Sequence, residues 1–308
     1  MKLGMVGLGK MGGNMATRLK RAGHEVVGFD RDPDTSDVDD LAGLVEALGP
    51  SPRAVWVMLP SGTPTVDAIG ELADLLGDGD VIVDGGNSFW KDSRTHGEEL
   101  AAKGVGFLDV GVSGGVWGLD NGYCLMAGGS AEHVARLQPA FDDLAPPDGF
   151  AHVGESGAGH FTKMVHNGIE YGLMHAYAEG YELLTAADID IDADAAIHAW
   201  REGSVVRSWL LDLLCAALGD DPDLVSIRGE AADSGEGRWT VNEAVRLAVP
   251  LPVISAALFA RFASRQEDSP AMKVVAALRT QFGGHSSQAV DRRPAESMQG
   301  DDAVRSSS

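Results

Sequence analysis

Gly7-Leu8-Gly9-Lys10-Met11-Gly12 follows a short apolar run, residues 1–6, and leads into a helical pattern over residues 14–22. In a strand–turn–helix of this kind the first glycine permits the tight bend. The second lets a pyrophosphate approach the backbone, and the third lets the helix pack closely on the strand. A lone glycine motif is weak, but this one lies between strand and helix at the start of the chain. A second strand, residues 24–29, then ends in Asp30. A carboxylate there accepts hydrogen bonds from the adenine ribose hydroxyls and repels a 2′-phosphate, which favours NAD. Arg31 could pair with that phosphate and keeps NADP open, and the lesser alternative for Asp30 is a turn residue before Asp32-Pro33-Asp34.

Outward from this unit, helix and strand alternate. Helices are expected over residues 41–48, 64–76 and 93–103, with strands over 54–59, 81–84 and 106–110. Short apolar strands separated by helices of about ten residues predict a parallel, doubly wound sheet, whose ligands lie beyond the carboxyl ends of the strands. Three glycine-rich loops fall there: Pro60-Ser61-Gly62, Gly85-Gly86-Asn87-Ser88 and Gly111-Val112-Ser113-Gly114-Gly115. One more strand (123–129), a helix (131–144) and a last short strand (150–153) complete this part. After it only helical patterns remain, over 195–202, 208–218, 239–247, 252–265 and 271–282. The fold class is α/β, with an N-terminal doubly wound domain (1–157), an all-α C-terminal domain (158–288) and a polar, serine-rich tail (289–308).

Between the two domains, residues 157–186 read as one long helix. Lys163, His166, Asn167 and Glu170 recur in it at i, i+3, i+4 and i+7 and share one face. Only seven of the 24 cationic residues are lysines. A lysine, an amide and a carboxylate on successive turns suit the wall of a cleft, although a solvated charged face would show the same spacing.

Composition bounds the partners. A formal net charge of -22 repels phosphate, so nucleic acid is not expected to bind; the acidity suits either a salty cytoplasm or plain solubility. Two cysteines, Cys124 and Cys215, provide no disulfide framework, and a reducing, cytoplasmic setting is expected. The apolar run 247–260 is short and carries Pro250 and Pro252, so neither a membrane span nor a signal sequence is expected. No metal site is expected.

Four stretches carry a resemblance: residues 7–12, Asp84-Gly85-Gly86-Asn87-Ser88, Val112-Ser113-Gly114-Gly115-Val116-Trp117-Gly118, and Lys163-Met164-Val165-His166-Asn167-Gly168-Ile169-Glu170-Tyr171. Together they resemble the decarboxylating 6-phosphogluconate dehydrogenases, in their short, NAD-preferring form, within the wider β-hydroxyacid dehydrogenases. The resemblance implies a Rossmann domain followed by a helical domain, and oxidation of 6-phosphogluconate to ribulose 5-phosphate and CO2. It implies Lys163 as base, Glu170 as acid and Asn167 as orienting residue. Cofactor contacts would come from Gly7, Gly9, Met11, Gly12, Asp30, Arg31, Leu59 and Asn87. The sugar acid would meet Asn87, Ser113, Gly114, Gly115, His166 and Asn167, and its phosphate Tyr171 and Arg261. Arg279 and His285 would reach in from a second subunit of a homodimer or homotetramer. One position departs from the long enzymes: Ser234 stands where they carry a phosphate-binding lysine, leaving open whether Arg238 substitutes. A dehydrogenase of another small 3-hydroxy acid, or a non-catalytic nucleotide-binding protein, are the rival readings.

Overall fold

The computed structural model describes residues 1–283; His285 and the expected tail lie outside the described residues. A seven-stranded sheet is formed by β1 (Lys2–Val6), β2 (Glu25–Phe29), β3 (Ala54–Val57), β4 (Val81–Asp84), β5 (Gly106–Ser113), β6 (Cys124–Gly129) and β7 (Phe150–Gly154), in the order β2-β1-β3-β4-β5-β6-β7. Side chains alternate across it, and both faces are covered. Leu3, Met5, Trp56 and Val83 point to one core, with Met15 and Leu19 of α1 (Lys10–Arg21) and Leu137 and Phe141 of α6 (Ala131–Leu144). Val6, Val55, Val57 and Ile82 point to the other, with residues of α2 (Leu41–Leu48), α3 (Thr63–Leu75) and α4 (Trp90–Ala101). Burial on both faces explains why these strands read as unbroken apolar runs.

The sheet departs from the all-parallel expectation. β1 to β5 are parallel, but β6 runs antiparallel to β5, and β7 is parallel to β6. The connection from Ser113 to Cys124 holds only a 3-10 turn and the four-residue α5 (Gly118–Asn121). A parallel crossover takes a dozen or more residues, so the chain turns back instead. β5 also runs on to Ser113, which pairs with Cys124, so Gly111, Val112 and Ser113 are strand residues rather than loop residues. Conversely β3 ends at Val57, before the expected residue 59.

From α7 (Ala158–Thr185) onward the described chain is helical, with α8 (Ala193–Ala199), α9 (Trp209–Asp220), α10 (Glu236–Leu247), α11 (Pro252–Ser264) and α12 (Pro270–Gly283). The start of α7 is set by the sheet. Asp109 on β5, fully buried, accepts hydrogen bonds from the Gly157 and His160 amides at 2.7 and 2.8 Å, satisfying orphan donors of the first turn. A Cβ on Gly159 would lie 2.2 Å from the Asp109 carbonyl oxygen and 2.5 Å from that of Met126, so the helix backbone rests directly on β5 and β6. Farther along, Thr240 Oγ1 of α10 donates to the Met164 carbonyl at 2.8 Å. Tyr171 packs with Ala257 and Leu258 of α11, and the distal end of α7 joins a small core of Ile197, Leu211, Cys215 and Leu218. Among the described residues no helix is long and apolar enough to cross a membrane.

Candidate active site

A cleft of about 510 Å³ opens at the carboxyl ends of β1, β2 and β3, lined among others by Gly7, Gly9, Asp30, Arg31, Leu59 and Pro60. Gly7 adopts φ 91°, where a side chain would also meet the Met58 carbonyl, and a Cβ on Gly12 would lie 1.9 Å from the Gly7 carbonyl oxygen. Only glycine keeps this turn closed. Above Gly9, by contrast, an added Cβ meets nothing within 4 Å, and no side chain caps α1. Open space at an uncapped helix N-terminus fits a pyrophosphate. Asp30 accepts from the Leu8 amide at 2.6 Å and from the Asp32 amide at 3.0 Å, and these backbone donors, with Arg31 beside it, hold its carboxyl below the usual range. Asp30 is thus ionised and both a turn residue and a wall of the cleft. Asp40, Asp67 and Glu71 line the same cleft. Four carboxylates against Arg31 make this end hostile to an added phosphate. The two on α3 were not singled out in the sequence, although their i, i+4 spacing places them on one face.

The second locus lies where the end of β5, the start of β6 and the N-terminus of α10 converge on α7. Lys163 and Asn167 are buried there, and His166 and Glu170 are partly exposed. Ser113 Oγ and His166 Nε2 are 3.3 Å apart, His166 Nδ1 lies 3.0 Å from Asn167 Oδ1, and Glu170 Oε2 is 4.0 Å from His166 Nδ1. Burial pushes the Lys163 amine below the ordinary lysine range, while Glu170, Glu236 and Cys124 pull it back up. Gly114 and Gly115 follow Ser113 with positive φ, and Asn87 is exposed in the loop after β4. That loop is tied to the helices by Phe89 against Trp239, ring centroids 5.2 Å apart.

Two descriptions, the NAD binding domain of 6-phosphogluconate dehydrogenase and the 6-phosphogluconate dehydrogenase C-terminal domain, match residues 2–154 and 159–293. The chain belongs to the 6-phosphogluconate dehydrogenase family. The NAD(+)-dependent, decarboxylating 6-phosphogluconate dehydrogenase of Haloferax volcanii is 41% identical over 296 residues, covering 92% of this chain and 98% of that one. The decarboxylating enzyme of Lactococcus lactis subsp. lactis is 32% identical over 321 residues, covering 94% of this chain but 67% of its own length. The Plasmodium falciparum 6-phosphogluconate dehydrogenase, described with NADP+ and with 6-phosphogluconate, superposes with a TM-score of 0.80 at 25% identity, covering 95% of this chain and 67% of that one.

Around Ser234, beside Tyr171, the side chains form a hydrogen-bonded cluster. The Ser234 amide donates to the Tyr171 hydroxyl oxygen at 3.0 Å, and Ser234 Oγ donates to Glu236. The Tyr171 hydroxyl is therefore the donor in its 3.3 Å contact with Ser234 Oγ. Arg238 is engaged by Asp233, through two hydrogen bonds at 2.5 and 3.1 Å, and Arg265 shares the same carboxylate. Arg261 lies 3.5 Å from the centroid of the Tyr171 ring, donates to the Ala232 carbonyl and pairs with no carboxylate among the described residues. Arg279 is exposed on α12, away from this cluster's contacts. Glu236, Cys124 and the Asp109 cap escaped the sequence reading, because nothing in the spacing of Asp109 or Cys124 links them to residue 163.

Proposed function

We propose that the chain oxidatively decarboxylates 6-phosphogluconate to ribulose 5-phosphate and CO2 with NAD as the preferred acceptor. The observation that carries this reading is Lys163: a buried amine, its proton affinity lowered by desolvation, on a helix whose next two turns supply Asn167 and Glu170. Bound NAD supplies the hydride acceptor. Lys163 takes the proton of the C3 hydroxyl, which leaves a 3-keto acid once the C3 hydrogen has gone. Its ammonium then stabilises the enolate that forms as the carboxylate leaves as CO2. The Lys163 proton passes to the enolate oxygen to give the enediol, and Glu170 then returns a proton to the carbon that becomes C1 of the product as Lys163 takes the hydroxyl proton back, leaving the C2 ketone. Asn167, His166 and Ser113 orient the hydroxyls, and Arg261, backed by Tyr171, meets the phosphate.

The acidic lining of the dinucleotide cleft supports NAD over NADP. Exposed apolar side chains on α11 and α12, such as Val253, Phe259, Met272 and Leu278, support an oligomer in which Arg279 serves a neighbouring site. Steady-state assays with 6-phosphogluconate, an unphosphorylated 3-hydroxy acid and each dinucleotide test the reading. Turnover of the unphosphorylated acid alone, or an Arg261→Ala variant with unchanged KM for 6-phosphogluconate, refutes it. Sedimentation showing a fully active monomer removes the shared site.

A further inference from the structure

Lys163 and Glu236 are both buried, at 8% and 5% exposure, they carry opposite charge, and neither forms an ion pair with any described residue. Leaving either charge alone in a low-dielectric site is costly. Glu236 sits in the first turn of α10, where the helix dipole favours an anion, and Ser234 Oγ, on one of its oxygens, is the sole side-chain donor it receives among the described residues. The helix carrying it is bolted to the catalytic helix: Thr240 Oγ1 bridges the Glu236 and Met164 carbonyls, and a Cβ on Gly168 would lie 2.7 Å from Thr240 Cγ2. Tyr171, on the same side of α7, meets Ser234 at one end of the Ser234–Glu236 bond and Gly237 on the other flank of Glu236.

We propose that Glu236 is a positioning residue of the site, a second carboxylate besides Glu170 that, from the start of α10, favours the ammonium form of Lys163. This rests on the reading of Lys163 given above. The other groups facing Lys163 do not replace it. Glu170 and His166 belong to α7 itself, Cys124 is a thiol on β6, Arg261 is stacked on Tyr171, and Asp109 is consumed by the helix cap. Ser234 and Glu236 thus form an acid–hydroxyl pair at the start of α10 that bears on the base rather than on the phosphate.

Removing the charge removes one of the two carboxylate influences that oppose burial, so Lys163 should lose its proton at lower pH. The test is the pH dependence of Lys163 acetylation by limiting acetic anhydride in the full-length protein, read by peptide mass spectrometry alongside the pH profile of kcat/KM. In Glu236→Gln the labelling midpoint and the acid limb should both fall by about one pH unit. Glu236→Asp should restore them towards the parent values. A labelling midpoint unmoved in a folded Glu236→Gln protein overturns the proposal, as does a uniform loss of kcat/KM at all pH values with no displacement of the limb. Labelling needs no turnover, so a shifted midpoint without 6-phosphogluconate activity would sink the functional reading and leave the coupling standing.

Discussion

Substituting alanine for Gly111 tests whether the sheet fixes the position of Lys163. An added Cβ would stand 2.4 Å from Lys163 Cβ, 3.0 Å from the Gly159 carbonyl oxygen and 3.2 Å from Lys163 Cγ. Carbon atoms come to rest at about 3.5–4.0 Å, so α7 and β5 must separate by about 1 Å. Overpacking of this kind costs about 1–3 kcal/mol of stability, which a 308-residue protein with two large sheet cores tolerates. A displacement of about 1 Å in a reacting group costs about 100-fold in rate, or roughly 2.7 kcal/mol of barrier. The expected result is kcat down about 100-fold, with NAD affinity within a factor of about two, because the dinucleotide cleft is built on the other strands. Steady-state kinetics, NAD titration by calorimetry and a thermal melt separate the three quantities. A folded Gly111→Ala enzyme with parental kcat would show that the amine finds its place independently of β5.

Gly9→Ala should give the opposite pattern: its Cβ meets no protein atom, so Tm holds, while the open space over the turn is lost and KM for NAD rises about tenfold or more. Asp30→Ser removes one of four cleft carboxylates and the Leu8 tether, and should lower the NAD over NADP ratio of kcat/KM about tenfold. Glu170→Gln should retain hydride transfer, seen as a burst of NADH in single turnover, while release of ribulose 5-phosphate slows; parental steady-state kcat would remove Glu170 from the proton-return step. Burial would raise the Asp80 carboxyl, but the Arg53 guanidinium and amide donors hold it at about 2. That depression contributes about 2 kcal/mol of stability above pH 4, lost as pH falls towards 2. Asp80→Asn should therefore unfold at lower urea concentration at neutral pH and show a flatter stability profile between pH 4 and 2.

The doubly wound half was legible because strands buried on both faces leave continuous apolar runs, and the glycine turn leaves a fixed spacing. The reversal at β6 was not: an apolar strand carries no mark of its direction, and only the short link through residues 114–123 decides it. The polar face of α7 was legible from the 3.6-residue period alone. What surrounds it was not, since Glu236 lies 73 positions from Lys163 and Asp109 lies 54 positions before it. Whether Arg238 is free to meet a ligand was not legible either, because it depends on which partner each arginine takes. Asp233, an unremarkable residue in the sequence, holds Arg238.

At the joint between the sheet and α7 the backbones meet with little between them: Gly159 lies against the carbonyls of residues 109 and 126, and Gly111 against the Gly159 carbonyl and the first carbon of the Lys163 side chain. Such a spacing has no adjustable part, so no single replacement at the joint can shift Lys163 by a few tenths of an ångström without prising the two layers apart. The opposite flank, where helices 10 and 11 meet the same helix through Thr240, Tyr171 and Arg261, is made of side chains and can drift one residue at a time. Divergence in what the pocket accepts should accumulate on that flank, with the redox geometry inherited unchanged.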